Sequence, residues 1–408
     1  MSKVGISSQG PRRILLADCD MFFVQVARLE DPEGAGREPL LLVGGRSNRG
    51  VITSASYAAR EYGVRSGMPT SRARQLCPEA VVVPVPRGAC VERSRAIRAV
   101  LEDLSPVVQA ASIDEFYLDL TGTERLFKGE DLAATADRIR MTVHDRTGVA
   151  VSLGGGAQRV VAKVATRLAK PNGVHVVPPG GEAAFMSRFP LAALPGIGPA
   201  FLERLAAKGL RTAADAAAVE GEWLARWFGP RRGAWLWERV RGIDASEVDA
   251  RERRKSISSE RTFFADIDDD EELERRLLEL SCSVGSQLRG KELRARTITV
   301  KIRDYDFRTR QAGGTQPDGI ETDRAIFAVA LSLLHTLRHR RNAGVRLLGV
   351  GVSNLVQQAP VTQGDLFGEQ ATLETARDRT IARAVDRIRN RYGREALRPA
   401  RVLDRPEE

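Results

Sequence analysis

A multidomain α+β fold is what this sequence predicts, from three observations. The first is length, since 408 residues hold about two to four domains at roughly 100–200 residues each. The second is the interleaving of short apolar or alternating segments, which read as strands, with longer segments of helical period, such as residues 270–289. The third is a basic run without apolar periodicity at residues 250–262, which separates two folded regions.

Composition narrows the partners. A net charge of +10 and a pI near 9.8 favour a polyanion, although charge does not separate DNA from RNA or an anionic membrane surface. The four cysteines, Cys19, Cys77, Cys90 and Cys282, form no CxxC pair, and the four histidines lie far from them. Neither a zinc site nor a disulfide framework is expected, and the compartment read from this is a reducing cytoplasm. Residues 1–13 are polar and no segment approaches about 18 uninterrupted apolar residues, so neither a signal peptide nor a membrane partner is expected.

Two acidic groups carry the chemistry. Residues 14–17 form a short apolar strand that ends in Asp18-Cys19-Asp20, and residues 112–119 alternate polar with apolar around the adjacent pair Asp114-Glu115. Either group by itself reads as a solvated acidic turn. Carboxylates from two strand ends that converge on one spot suit Mg²⁺, which takes oxygen ligands and phosphates, so Asp18, Asp114 and Glu115 are assigned as its ligands. Phe22 and Phe23 follow at once, as core or as the wall of a substrate pocket.

Residues 38–43 and 50–53 read as strands joined by a Gly/Asn/Arg-rich turn, and residues 54–63 as a short helix with a serine start and a glycine stop. Tyr57 and Arg60, three apart on one face, can grip a single phosphate, unless that face is merely solvated. Farther on, Leu194-Pro195-Gly196-Ile197-Gly198-Pro199 permits a tight turn between helices whose backbone N–H groups meet a phosphate. This resembles a helix-hairpin-helix, with Gly196 and Gly198 at the DNA, against a plain connector as the alternative. Trp223, Trp227, Trp235 and Trp237 are expected to pack this helical region.

The basic run offers Arg254 and Lys255 to a phosphate backbone. In residues 297–303, alternation puts Ile298, Val300 and Ile302 on one face and Lys301 and Arg303 on the other. A second helix with Ile326, Phe327, Ala330, Leu331, Leu334 and Leu337 on one side, then a strand at 346–352, completes an α+β unit. Near the end, Ile381, Val385, Ile388 and Tyr392 align on a helix without an assigned role.

Taken together, Asp18-Cys19-Asp20-Met21-Phe22-Phe23, Ser56-Tyr57-Ala58-Ala59-Arg60 with the following 63–69, Ser112 to Asp119 and Lys170-Pro171-Asn172-Gly173 resemble the Y-family DNA polymerases, in particular the polymerase IV branch. The motifs stand in the same order and spacing through about residue 355.

The resemblance implies a right-hand polymerase with a ferredoxin-like palm (1–23 and 81–180), small fingers (24–80), a helical thumb with the helix-hairpin-helix (181–249), the basic linker (250–262), an α+β little finger (263–356) and a tail (357–408). It implies two Mg²⁺ ions, with the Cys19 carbonyl added to the three acids. Nucleotide contacts fall on Tyr57, Arg60 and Lys170, with Ser54 as a lesser candidate, and Phe23 as a steric gate beside an inward-packed Phe22. Asp20 and Asp119 are structural.

Gln363, Gly364, Asp365, Leu366 and Phe367 look like the peptide that binds the sliding β clamp, although Gly364 replaces a more usual apolar residue and the chain runs on to Glu408. Gln158-Arg159 departs from a common Asn-Lys. The expected partners are primer–template DNA, dNTP and the clamp, and the expected state is a monomer.

Residues 50–55, the stretch expected over the nascent pair, carry small or moderate side chains, and a roof without large groups checks shape weakly. The reading is therefore low-fidelity, weakly processive translesion synthesis without proofreading. Two alternatives are a catalytically inactive polymerase-like accessory protein and a diguanylate-cyclase-like enzyme. The first would keep the DNA-binding parts without extension, and the second would leave them without a purpose.

Overall fold

The computed structural model describes residues 11–400 apart from 48, 127–128, 251–253 and 358–372, and the chain divides into two compact units, Met1–Glu252 and Arg253–Glu408. The division falls inside the basic run. No helix among the described residues is long and apolar enough to cross a membrane.

The first unit starts with β1 (Ile14–Cys19), buried at every position, which is why its apolar run shows no alternation. A reversal at Met21, held at φ 38°, turns the chain into α1 (Phe22–Glu30). A small sheet follows, built from β2 (Leu41–Gly44), β3 (Ile52–Ala55) and β4 (Val81–Val83) with β2 in the middle. It carries α2 (Tyr57–Glu61) and α3 (Thr70–Leu76).

Two expectations shift here. The helix begins at Ser56, whose hydroxyl caps the N–H of Ala59, while Ser54 and Ala55 stay in β3 because their backbone pairs with β2. β4 lies past the boundary at 80 and pairs in parallel with β2.

Next come α4 (Arg87–Leu104), β5 (Val107–Ala110), β6 (Glu115–Asp119), α5 (Leu132–Thr147), β7 (Val151–Gly156), α6 (Arg159–Ala169) and β8 (Val174–Val176). With β1 they form a five-stranded sheet ordered β5-β6-β1-β7-β8. Leu15 and Ala17 join a core with Ile97, Leu101, Ile139 and Val143, and Ile14 and Leu16 pack with Tyr117 and Ala162 on the other face. α6 approaches β7 closely because Gly154 has no side chain. A Cβ there would lie 2.2 Å from the Ala162 carbonyl oxygen and 2.2 Å from the Thr166 amide nitrogen.

α7 (Glu182–Met186), α8 (Pro199–Ala206), α9 (Ala213–Ala217), α10 (Gly221–Phe228) and α11 (Pro230–Val240) complete the unit. Their core, with Phe185, Leu205, Leu224 and Leu236, shares Val160, Val161 and Val164 of α6. Trp227, Trp235 and Trp237 pack against it. Trp223, at 46% exposure, lies at its edge, 6.1 Å from the Trp227 ring and 4.8 Å from the Arg226 guanidinium.

The second unit holds β9 (Ser256–Ile267), α12 (Asp270–Arg289), β10 (Leu293–Asp304), β11 (Thr309–Ile320), α13 (Asp323–Arg340), β12 (Val345–Gln357) and α14 (Ala376–Tyr392). The sheet is ordered β11-β10-β12-β9, and Ile298, Val300 and Ile302 pack with Leu273, Leu277, Ile326 and Leu334 of the two helices.

Residues 256–262 are thus strand rather than linker. β9 is an edge strand held by backbone pairing with β12, which a side-chain pattern does not reveal. The polar edge strand β11 was not expected for the same reason.

α14 inverts the usual amphipathic rule. Its apolar Ile381, Ile388 and Tyr392 are exposed at 52%, 38% and 67%, and charged groups hold it to the unit. Arg289 donates to Asp386 at 2.6 and 3.0 Å, Arg383 to Glu321 at 3.0 Å, and buried Glu374 accepts the N–H groups of Glu321 and Thr322. Val385 is half-buried.

Candidate active site

The register of the five-stranded sheet brings the two acidic groups together. Asp18 on β1 stands directly opposite Glu115 on β6, and the Cys19 N–H donates to the Asp114 carbonyl at 2.9 Å. Because side chains alternate along a strand, Asp18 shares a face with Ile14 and Leu16, and Glu115 shares one with Tyr117. That face is covered by α6.

Four residues of helix rise about 6 Å, close to the two-residue repeat of a strand. Arg159 and Lys163 on α6 therefore meet Tyr117 and Glu115 on β6. The Arg159 guanidinium lies 4.2 Å from the Tyr117 ring centroid, and Lys163 pairs with Glu115 while lying 3.7 Å from Asp18. Lys170, beyond the end of α6, pairs with the other Asp18 oxygen. Lys163 is a residue of this site to which the sequence reading gave no role. The matched spacing is a signal for it, but only once α6 and β6 are known to be neighbours.

The assigned ligands are all engaged by other groups of the chain. Asp18 faces two lysines, Glu115 faces one, and the Asp114 carboxylate accepts from the Ser112 hydroxyl. Among the described residues they do not form a gathered three-acid cluster. Burial, then the neighbouring charges of Asp114 and Asp18, drive the Cys19 thiol well above its ordinary range. That leaves its backbone carbonyl as the group it could offer a cation. Asp119 accepts from Thr121 and serves the turn after β6.

The nucleotide candidates fall into two groups. Phe22 is 1% exposed and lies in the core, so it has no surface for a nucleotide, while Phe23 is half-buried and meets its ring edge-on at 5.4 Å. Ser54, at 5% exposure, is likewise turned away from solvent.

Tyr57 and Arg60 do sit together, the guanidinium 4.9 Å from the ring, and Arg60 also donates to the Ala55 carbonyl. The Tyr57 hydroxyl donates to Asp20 at 2.8 Å, and burial, followed by that bond to a carboxylate, raises its pKa strongly.

Of the DNA candidates, Gly196 is the one whose backbone requires glycine. Its φ is +89°, and a Cβ would lie 2.7 Å from the Trp235 ring. Gly198 is extended and open, and caps α8 ahead of Pro199. In the second unit Arg254 and Lys255 are exposed. Lys301 pairs with Glu260 across Gly349, so that face is less cationic than alternation implied, and Arg303 donates to Thr309 at 2.9 Å. Gln363, Asp365, Leu366 and Phe367 lie outside the described residues.

Comparison with known proteins gives this arrangement its class. Residues 17–167 match the impB/mucB/samB family, residues 254–366 its C-terminal domain, and residues 192–244 the thumb domain of DNA polymerase-iota. A solved Y-family DNA polymerase chimera covers 85% of this chain and all of its own at 25% identity, with a TM-score of 0.74. DinB from Sulfolobus solfataricus covers the same share at 25% identity with a TM-score of 0.57. The chain belongs to the Y family of DNA polymerases. Its relatives place it with the bacterial branch. DNA polymerase IV from Desulfatibacillum aliphaticivorans is 36% identical over 96% of both chains, and that from Caulobacter vibrioides is 35% identical over 97% of this chain and 95% of its own.

Proposed function

We infer that this chain is a template-directed DNA polymerase that performs translesion synthesis, adding dNTPs to a primer 3′ end with low fidelity and low processivity and without a proofreading exonuclease. The observation that carries the reading is the in-register pair Asp18 and Glu115, beside Asp114, under the ammonium groups of Lys163 and Lys170. Acids and cations interleaved in this way suit a polyphosphate held next to a divalent metal.

The donor set fits such a metal. Three carboxylates and the Cys19 carbonyl are hard oxygen donors, and the negative charge they would give a cation is now balanced by lysines. Asp18, Asp114, Glu115 and the Cys19 carbonyl would hold two Mg²⁺ ions, which when bound supply nucleophile activation and charge neutralisation for phosphoryl transfer.

The chain's own residues do the rest. Arg60 and Lys170 bind and orient the triphosphate as fixed cations. Phe23 stands where a 2′ hydroxyl would sit and excludes ribonucleotides. The turn at Gly196 and the N-terminus of α8 meet a phosphate backbone through N–H groups, while Arg254, Lys255, Lys301 and Arg303 hold the duplex through its charge rather than its sequence. Leu366 and Phe367 anchor the enzyme to a sliding clamp.

Primer extension with Mg²⁺ on undamaged and minor-groove-adducted templates tests this directly. Insertion opposite the adduct, frequent misincorporation and persistence of a mismatched 3′ end are expected. DNA binding without any extension would favour the inactive accessory protein, and high fidelity with excision of mismatched primers would sink the translesion reading.

A further inference from the structure

Asp20 is the carboxylate of the Asp18-Cys19-Asp20 run that the metal chemistry leaves over, and its surroundings give it a different task. It is 2% exposed, and three other parts of the chain donate to it. The Tyr57 hydroxyl reaches Oδ1 at 2.8 Å. The Ser152 hydroxyl of β7 lies 3.1 Å from Oδ1 and 2.9 Å from Oδ2. The Asn172 N–H donates to Oδ2 at 2.7 Å. Hydrogen bonds to an ionised acceptor are the stronger kind, and a buried donor left without one costs more than the bond itself contributes.

The elements tied here are the ones that carry the two proposed triphosphate cations. Tyr57 shares α2 with Arg60, whose guanidinium stacks on its ring. Asn172 belongs to the turn that begins at Lys170, and its backbone sits at φ 46°, a left-handed position that the bond to Asp20 helps to hold. Among the described residues, neither Arg60 nor Lys170 makes a hydrogen bond or ion pair to the other element. A phenol also has a single proton, and Tyr57 gives it to Asp20. In this state the Tyr57 hydroxyl is committed to Asp20 and ties α2 to it.

We propose that Asp20 is a positioning residue for the incoming nucleotide, fixing the separation between α2 with Arg60 and the turn with Lys170 so that both cations meet one triphosphate. The proposal rests on reading Arg60 and Lys170 as triphosphate contacts. Asp20 touches no reacting atom in this role. It acts as two joints in series, one to α2 and one to the turn, so that opening either joint releases the same constraint.

Rapid single-nucleotide insertion on a fixed primer–template, giving dNTP Kd and maximal rate separately, tests it. Asp20→Asn puts an amide N–H where the Asn172 or Ser152 donor must fit, and opens the turn-side joint. Tyr57→Phe deletes the hydroxyl and opens the α2-side joint. Each is expected to raise the dNTP Kd about 10-fold, equivalent to about 1.4 kcal/mol, with the maximal rate within about threefold and primer–template affinity unchanged. The double variant should be no worse than the poorer single within about twofold.

Multiplying effects would overturn the proposal, as would an Asp20→Asn enzyme that loses rate, DNA affinity and thermal midpoint together, which is the mark of a merely structural role. Should Asp20→Asn not fold, Tyr57→Phe is measured in an Arg60→Met background. A further loss there of the full single-variant size overturns the proposal, and no further loss supports it. Arg60→Met and Lys170→Met made singly act as the control. If neither raises the dNTP Kd, the triphosphate reading itself fails. If both do and Asp20→Asn does not, only the positioning role fails.

Discussion

Lys163 and Lys170 hold the carboxylates of β1 and β6 from one side, and this fixes what removal of an acid should do. Asp18→Ala or Asp114→Ala is expected to lower nucleotide insertion by at least about 100-fold, because charge stabilisation in the transition state is lost. Primer–template affinity should stay within about threefold of wild type, since the proposed DNA contacts use other residues. Single-turnover insertion alongside DNA titration checks this, and substantial synthesis by both variants would refute the assignment. Phe23 belongs to the same scale. With its ring half-buried beside fully buried Phe22, Phe23→Ala should admit ribonucleotides about 10-fold or more readily without unfolding the protein. Full retained discrimination would make Phe23 a core residue only. The acids could be read from sequence because Asp18 closes an apolar run and Asp114-Glu115 open an alternating one. Lys163 could not, because its partner lies 48 residues earlier on a different element.

At the scale of elements, α6 is the piece on which the first unit depends. One side meets the five-stranded sheet through Ala162, another supplies Val160, Val161 and Val164 to the helical core, and its polar positions deliver Arg159 and Lys163 to the site. Its closeness to β7 hangs on Gly154, where a Cβ would strike backbone rather than a movable side chain. Gly154→Ala should therefore destabilise the unit by about 1–3 kcal/mol, the usual range for overpacking. It should also lower activity at temperatures where the protein is still folded, as α6 and its lysine shift outward. Denaturant melts together with insertion rates test this. A variant with wild-type midpoint and activity would show that β7 and α6 can separate without consequence. The helices of the second unit were legible by period, whereas β9 and β11 were not, because edge strands depend on backbone pairing with β12 and β10.

For the molecule as a whole, each unit has its own core, so the second, expressed as residues 253–408, should fold by itself with a cooperative melt. A molten, non-cooperative fragment would count against two autonomous units. The proposed attachment to a clamp is tested on the whole protein. Replacing Leu366 and Phe367 by alanine should abolish stimulation by the clamp while leaving insertion of one nucleotide unchanged, because sites that share no partners are energetically separate. Equal stimulation of mutant and wild type would place the clamp contact elsewhere. The exposed Ile381, Ile388 and Tyr392 of α14 make that helix the next surface to alter.

Sequence alone determined the family, the two acidic groups, the glycine turn before α8 and the helical layer of the second unit. Each of these is written locally, as acids that close an apolar run or open an alternating one, a φ that only glycine adopts readily, or a period of 3.6. Tertiary structure decided the rest. It set the four-residue step of α6 against the two-residue step of β6 and so selected Lys163. It buried Ser54, set α14 on its unit through Asp386 and Arg383 with Ile381, Ile388 and Tyr392 exposed, and drew Tyr57, Ser152 and Asn172 around Asp20. Contacts such as these join residues far apart in the chain through direction and distance, and neither quantity exists until the sheet has its register.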